Sequence, residues 1–268
     1  MGVTWPLQKA GRKAAPPPDH PAKGRRRQGG MMQEAHIRAS FDEALEAIQA
    51  QLMKLGGLVE TALLDAAEAL ERRDRALAES VRAGDAAIDA LEEAIQTGCA
   101  RLLALQSPAA GDLRLVLSIM RIAGALERSG DYAKNLAKRT LVLLEMPLVG
   151  NAGGAIRRMA RAVVAMLTEA LDAHVARDAA RAAEVRRRDE EVDQLYNALF
   201  REFLTYMMED PRNITACMHL HFIAKNIERV GDHATAIAEQ VIYLVSGEVP
   251  GAARPKVDAL GAAEGRAL

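Results

Sequence analysis

The sequence predicts an all-α protein made of two tandem, sequence-related three-helix bundles. Three observations carry that prediction. Aromatic residues are only 3% of the 268 residues, while Ala, Leu, Glu and Arg dominate, and these residues lose little rotamer freedom in a helix. Apolar residues recur at spacings of three and four over long stretches, which marks one buried helical face. One stretch also occurs twice: LERSGDYAKNLA at 126–137 returns as IERVGDHATAIA at 227–238, offset by 101 residues.

The first helix is expected from about Met32, through Phe41, Leu45, Ile48, Leu52, Leu55, Val59, Ala62 and Leu63. Ser40 with Glu43 reads as a capping box at a helix start. The second runs from about Arg75 to Leu105, through Leu77, Val81, Ile88, Leu91, Ile95 and Leu102, and Ser107-Pro108 breaks it. The third, from about Asp112 to Glu145, carries the first copy of the motif and stops before Pro147; the run from Gly150 to Gly154 reads as a hinge between halves. A fourth helix is marked by Met159, Val163, Met166, Leu167 and Ala170, and a fifth by Ala183, Val185, Val192, Leu195, Leu199 and Phe203. The sixth, Ile214 through Val245, carries the second copy, with Asp210-Pro211 in the place of Ser107-Pro108. The same plan in both halves is an internal duplication of about 100 residues per unit. The boundaries expected are a basic disordered arm at 1–31, repeats at 32–147 and 154–248, and a loose tail at 249–268.

Charge narrows the function. Residues 1–30 hold seven Lys and Arg against Asp19 alone, so the remaining chain carries about −7 of the formal net −1. An acidic helical body with few rings is poorly suited to nucleic acid. Cys99 and Cys217 are far apart, which fits a reducing compartment without disulfides. No apolar run approaches the length of a membrane helix, so the chain is expected in the cytoplasm, reaching a membrane only through partners.

Each motif copy places a Glu four residues before an Asp, so Glu127 lies over Asp131 and Glu228 over Asp232 on one helix face. The preceding helix of each half supplies a matching pair, Asp85 with Asp89 and Asp189 with Asp193. Glu93 extends the first Asp stripe, with Asn197 at the corresponding place in the fifth helix. Asn135 extends the Glu127 and Asp131 line, and Thr235 and Glu239 lie near the line of Glu228 and Asp232. Four or more oxygen ligands without nitrogen or sulfur select hard cations: ferric iron, manganese, magnesium or calcium. The plainer alternative is a solvated acidic face, neutralised in part by Arg128 and Arg229. Cys217 and His221 have the spacing of a zinc pair, but no second N/S pair exists, so Cys217 is expected in the core and His219 and His221 at the surface or an interface. His36 and His174 are isolated and carry no role.

The duplicated motifs, with SPAAGDLR at 107–114 before the first, resemble those of the PhoU family over about residues 32–248. The resemblance implies two tandem three-helix bundles with multinuclear metal clusters held by E(D)xxxD motifs. Carried over, the metal ligands are Asp85, Asp89, Glu127, Asp131 and Asn135, then Asp189, Asp193, Glu228 and Asp232; iron, manganese and magnesium lead, with zinc as a further candidate. Ala236 stands where the first motif has Asn135, and Lys138 where the second has Glu239, so the clusters need not be equal. The resemblance also implies a negative regulator, a homodimer. Its partners would be the ATPase subunit of the Pst phosphate transporter and a phosphate-responsive sensor histidine kinase. One alternative is an accessory protein of a low-affinity phosphate permease. The other is a carboxylate-bridged di-metal enzyme, which needs Glu-x-x-His ligands; no His has Glu three residues before it. No nucleophile with a base and no phosphate loop is present, so no enzyme activity is expected.

Overall fold

The helix-forming composition is realised as six α-helices: α1 (Lys23–Arg72), α2 (Arg75–Leu105), α3 (Ala110–Leu143), α4 (Ala152–Ala176), α5 (Ala179–Glu209) and α6 (Ile214–Ser246), with a 3₁₀ turn at Pro211–Asn213. The computed structural model describes residues 23–105 and 110–248, with side chains from residue 38 onward. There is no strand among them. Ser107-Pro108, residues 1–22 and the tail after residue 248 lie outside the described residues.

The duplication is visible in how the helices end. Arg73 and Arg177 both take left-handed backbone, with φ of 55° and 52°. In each case the next amide reaches back to close the helix: Asp74 N–H donates to Ala69 O and Asp178 N–H to Ala173 O, both at 2.9 Å. The same Asp then caps the following helix, Asp74 accepting from Leu77 N at 3.0 Å and Asp178 from Ala180 N at 2.9 Å. An Arg-Asp pair thus makes the first corner of both repeats. Asp210-Pro211 breaks α5 from α6 as expected, and Gly247, at φ 76°, ends α6.

Two expectations fail at element ends. Ser40 does not start a helix, because α1 already runs through it from Lys23; from Met31 to Ala50 there is no Pro or Gly to interrupt a run of good helix formers. Gly153 and Gly154 belong to the first turn of α4 rather than to a hinge, and the bare Gly153 lets the chain pass close to Glu71 of α1.

The described helices from Phe41 onward form one compact unit; the preceding residues of α1 belong to a separate one. The expected apolar faces are buried, including Leu52, Leu55, Ile95, Leu126, Ile227 and Phe203. Leu105, at the end of α2, and Leu195, at the edge of its stripe, are exposed instead, as is Ala183.

The two halves join along two antiparallel helix pairs. Between α1 and α4, Arg157 pairs with Glu68 at 2.8 Å and with Glu71, Thr168 donates to Glu60 at 2.8 Å, and Leu171 covers Gly56. Between α3 and α6, Arg121 meets Gln240 at 3.2 Å, Arg139 meets His219 at 3.3 Å and lies over Phe222, and the rings of Tyr132 and His233 stack at 5.8 Å. His233 is the counterpart of Tyr132 in the second repeat, so a pseudo-two-fold axis passes between these rings, as in an isologous interface. Both copies of the repeated motif therefore lie along one seam.

Candidate metal centre

The glycine of each motif copy sets the distance between the acids. A Cβ on Gly130 would stand 3.0 Å from Ile88 of α2, and one on Gly231 would stand 3.4 Å from Val192 of α5. Without a side chain there, α3 closes on α2 and α6 on α5. Ile88 and Val192 sit between or beside the Asp pairs, so this contact brings Asp85 and Asp89 to Glu127 and Asp131, and Asp189 and Asp193 to Glu228 and Asp232.

The electrostatics record that convergence. Burial, then the charges of Asp131, Asp89 and Glu92, push the Glu127 carboxyl up; Asp89 rises through burial, then Asp85, with Lys134 opposing. In the second repeat Asp193 is pushed up to about 6, first by burial and then by Asp189, Glu228 and Asp232. Each rise has the direction expected of carboxylates crowded on one patch with too little opposite charge.

Cations from the chain itself answer part of that charge. The Lys134 ammonium pairs with Asp85 and lies 3.5 Å from Asp131. Lys225 pairs with Glu228 at 2.7 Å. Glu92 also joins the first cluster, with its carboxylate accepting from Gln96 at 2.7 Å. Glu93 is exposed and does not face the site. The three-residue step from Asp89 to Glu92 follows the packed face of α2, whereas the four-residue step to Glu93 leaves it.

Other candidates separate from the clusters. Asn135 is half-buried one turn beyond Asp131. Glu239 pairs with Arg186 of α5 at 3.4 Å, and Thr235 is buried with its hydroxyl donating to Gly231 O at 3.0 Å. Cys217 is fully buried in the core. His219 lies at the α3–α6 seam, and His221 packs among Tyr196, Phe200 and Phe222. His174, to which the sequence assigns no role, is 3% exposed with neither ring nitrogen hydrogen-bonded.

Among the described residues, no three or more His, Cys, Asp or Glu side chains stand in an arrangement that already encloses a metal ion. The donor chemistry nevertheless fits a hard cation. Asp85 is 4% exposed, and its Oδ1 is buried without a hydrogen-bond partner, a cost that a cation would relieve. Glu127 and Asp131 are only half-buried, which leaves them room to turn towards an ion.

Comparison with known proteins places the fold and the motifs together. The PhoU domain model matches residues 52–140 and again 156–241, one match per repeat. A phosphate-specific transport system accessory protein PhoU homolog of Caulobacter vibrioides is 46% identical over 225 residues, 84% of this chain and 98% of that protein. The crystal structure of PhoU from Pseudomonas aeruginosa superposes with a TM-score of 0.75 at 42% identity, covering 78% of this chain and all of that one. The phosphate transport system regulatory protein PhoU from Streptococcus pneumoniae gives 0.73 at 34%, covering 79% and 99%. In keeping with relatives named as accessory and regulatory proteins, the chain is not an enzyme. With a duplicated three-helix fold, one domain match in each half and relatives aligned over four-fifths of its length, the chain belongs to the PhoU family.

Proposed function

We propose that the protein is a negative regulator of phosphate uptake and phosphate-starvation signalling, acting in the cytoplasm by contacts with the ATPase subunit of a Pst-type transporter and with a sensor histidine kinase. The observation that carries this reading is the pair of PhoU-domain matches, each spanning one complete four-acid cluster. Relatives named as accessory or regulatory proteins of phosphate transport support the transport link. No described helix is long and apolar enough to cross a membrane, which agrees with action through partners.

In this reading each cluster holds a hard cation such as iron, manganese or magnesium. Asp85, Asp89, Glu127 and Asp131 serve the first repeat; Asp189, Asp193, Glu228 and Asp232 serve the second. The ion supplies positive charge, tying α2 to α3 and α5 to α6. A set of oxygen donors offers soft zinc less, and Asn135 is a peripheral donor. The same surface, on a homodimer, is available to partners.

Deletion of the gene tests the regulatory role. In phosphate-rich medium a phosphate-starvation reporter is expected to switch from silent to strongly active, and restoring the gene should silence it. Unchanged reporter output in the deletion strain contradicts the proposal.

A further inference from the structure

The outer face of the α5–α6 hairpin is apolar along both helices, whereas its counterpart in the first repeat is not. From the second Asp pair towards the corner, α5 carries Tyr196, Phe200, Leu204 and Met208 at four-residue steps, one stripe on the helix. Counted from the first Asp pair, the matching places of α2 hold Glu92, Gln96, Ala100 and Ala104. There Gln96 closes the face by donating to Met120 O of α3 at 3.1 Å and to Glu92 at 2.7 Å. In the second repeat rings take that place, Tyr196 and Phe200 standing 5.8 and 5.2 Å from the His221 ring of α6. Together with Lys225, 5.1 Å from the centre of the Tyr196 ring, these contacts fix the register of the antiparallel pair. Nearer the corner that register brings Leu204 beside Met218 and Met208 beside Ile214. Met208 is 78% exposed, and Leu204, Met218 and Ile214 are 39–46% exposed. Leu113 and Leu117, the counterparts of Ile214 and Met218, are exposed as well, so what the second repeat adds is the α5 side of the face.

We propose that this face docks an amphipathic helix of a partner protein, one with an apolar stripe of about three turns and acidic residues beside it. The proposal rests on the reading that the protein acts through partner contacts, and assigns one of them a surface. Tyr196 to Met208 spans about 18 Å, the length of such a stripe, and an exposed apolar patch of this extent marks an interaction site. With no strand among the described residues, an extended peptide has no sheet edge to join, whereas a helix satisfies its own backbone. Methionines on both helices let the face mould itself to the incoming side chains. The charge at its edges selects acids. On α5, Arg201 is exposed and enters no ion pair among the described residues. On the α3 side, Arg139 lies 4.4 Å over the Phe222 ring and hydrogen-bonds a ring nitrogen of His219 rather than a carboxylate. The exposed Glu209, next to the corner, marks the end at which the partner helix should carry no acid.

Two synthetic three-turn helices, locked by a hydrocarbon staple and carrying leucine at i, i+3, i+4 and i+7, serve as probes. One has glutamate beside that stripe and the other glutamine. Each is titrated with the full chain and followed by fluorescence anisotropy. Saturable binding of the glutamate helix is expected, at least tenfold weaker to Leu204→Ser/Met208→Ser/Met218→Ser. A loss of at least threefold is expected for Arg201→Gln, and for the glutamine helix on the wild type. Absence of saturable binding, or equal binding by the triple variant, overturns the proposal. So does a wild-type dimer that light scattering shows to become a monomer in the triple variant, because a second copy then occupies the face. In cells the triple variant should release the phosphate-starvation reporter as gene deletion does. A variant that still silences a reporter activated by deletion overturns the docking surface and leaves the regulatory role standing; a reporter unchanged by deletion overturns both together. Should circular dichroism show the triple variant unfolded, Met208→Glu, at the most exposed of these positions, is read in the same way.

Discussion

Between pH 7 and pH 4 the metal-free protein is expected to lose about 3 kcal/mol of stability relative to a His174→Leu variant. His174 is packed into the last turn of α4 with both ring nitrogens unbonded. Burial, and then the nearby Arg177, push its pKa down to about 4 from an ordinary 6.5. The neutral ring is therefore the native form. Above 6.5 both folded and unfolded states hold it neutral and nothing is lost. As pH falls from 6.5 towards 4 the unfolded chain takes up a proton that the folded one refuses, at about 1.4 kcal/mol per unit of pKa difference.

Asp193 works with the opposite sign: its raised pKa means that falling pH relieves repulsion in the folded state, so total stability alone is a poor readout. The difference between wild type and His174→Leu removes that background. Urea unfolding at pH 7, 5.5 and 4 measures it; a gap that stays constant with pH would show that His174 finds a partner when charged. At pH 7 the variant is expected to match or exceed the wild type, since it removes two unsatisfied buried nitrogens.

The second large effect is linkage to metal. At Mn(II) about a hundredfold above the dissociation constant, one site adds about 2.7 kcal/mol. For a bundle of this size each kcal/mol moves Tm by about 2–4 °C, so a rise of about 5–10 °C is expected. In a variant with Glu127, Asp131, Glu228 and Asp232 changed to Ala, Mn(II) should leave Tm where it is. Its metal-free Tm should be no lower than that of the wild type, because four crowded carboxylates have been removed. Differential scanning calorimetry with and without Mn(II) reads both values.

Much of this architecture is legible in the sequence because helices and duplication leave periodic traces. Six apolar stripes, the Asp210-Pro211 break and the four acid pairs all follow from spacing alone. The motif glycines, Gly130 and Gly231, can be seen in the sequence, but their purpose becomes clear only when Ile88 and Val192 are found against them. Side-chain reach is the harder part. Lys134 falls seven residues after Glu127 and so close to the Glu127–Asp131 line on a helical wheel, but only the reach of its long, flexible stem, which spacing does not show, carries its charge across to Asp85. Glu92 and Glu93 flank the Asp89 line almost equally on an ideal helix, so the packing of α2 against α3 decides between them. His174 could have been placed in the core, since it follows Leu167 by seven residues and Ala170 by four on the buried stripe of α4; what the spacing does not show is that neither ring nitrogen finds a partner there, because that environment is tertiary. The Arg-Asp corners were available as a repeat of two residues, too short to stand out without the backbone conformation that explains them.

We propose that four carboxylates in each repeat form the cation sites of this PhoU-family protein. Elemental analysis of the protein, purified without chelator, beside the variant with Glu127, Asp131, Glu228 and Asp232 changed to Ala, tests it most directly. The wild type is expected to carry at least one equivalent of iron, manganese or magnesium per chain, and the variant none. Equal metal content in the two proteins would contradict it.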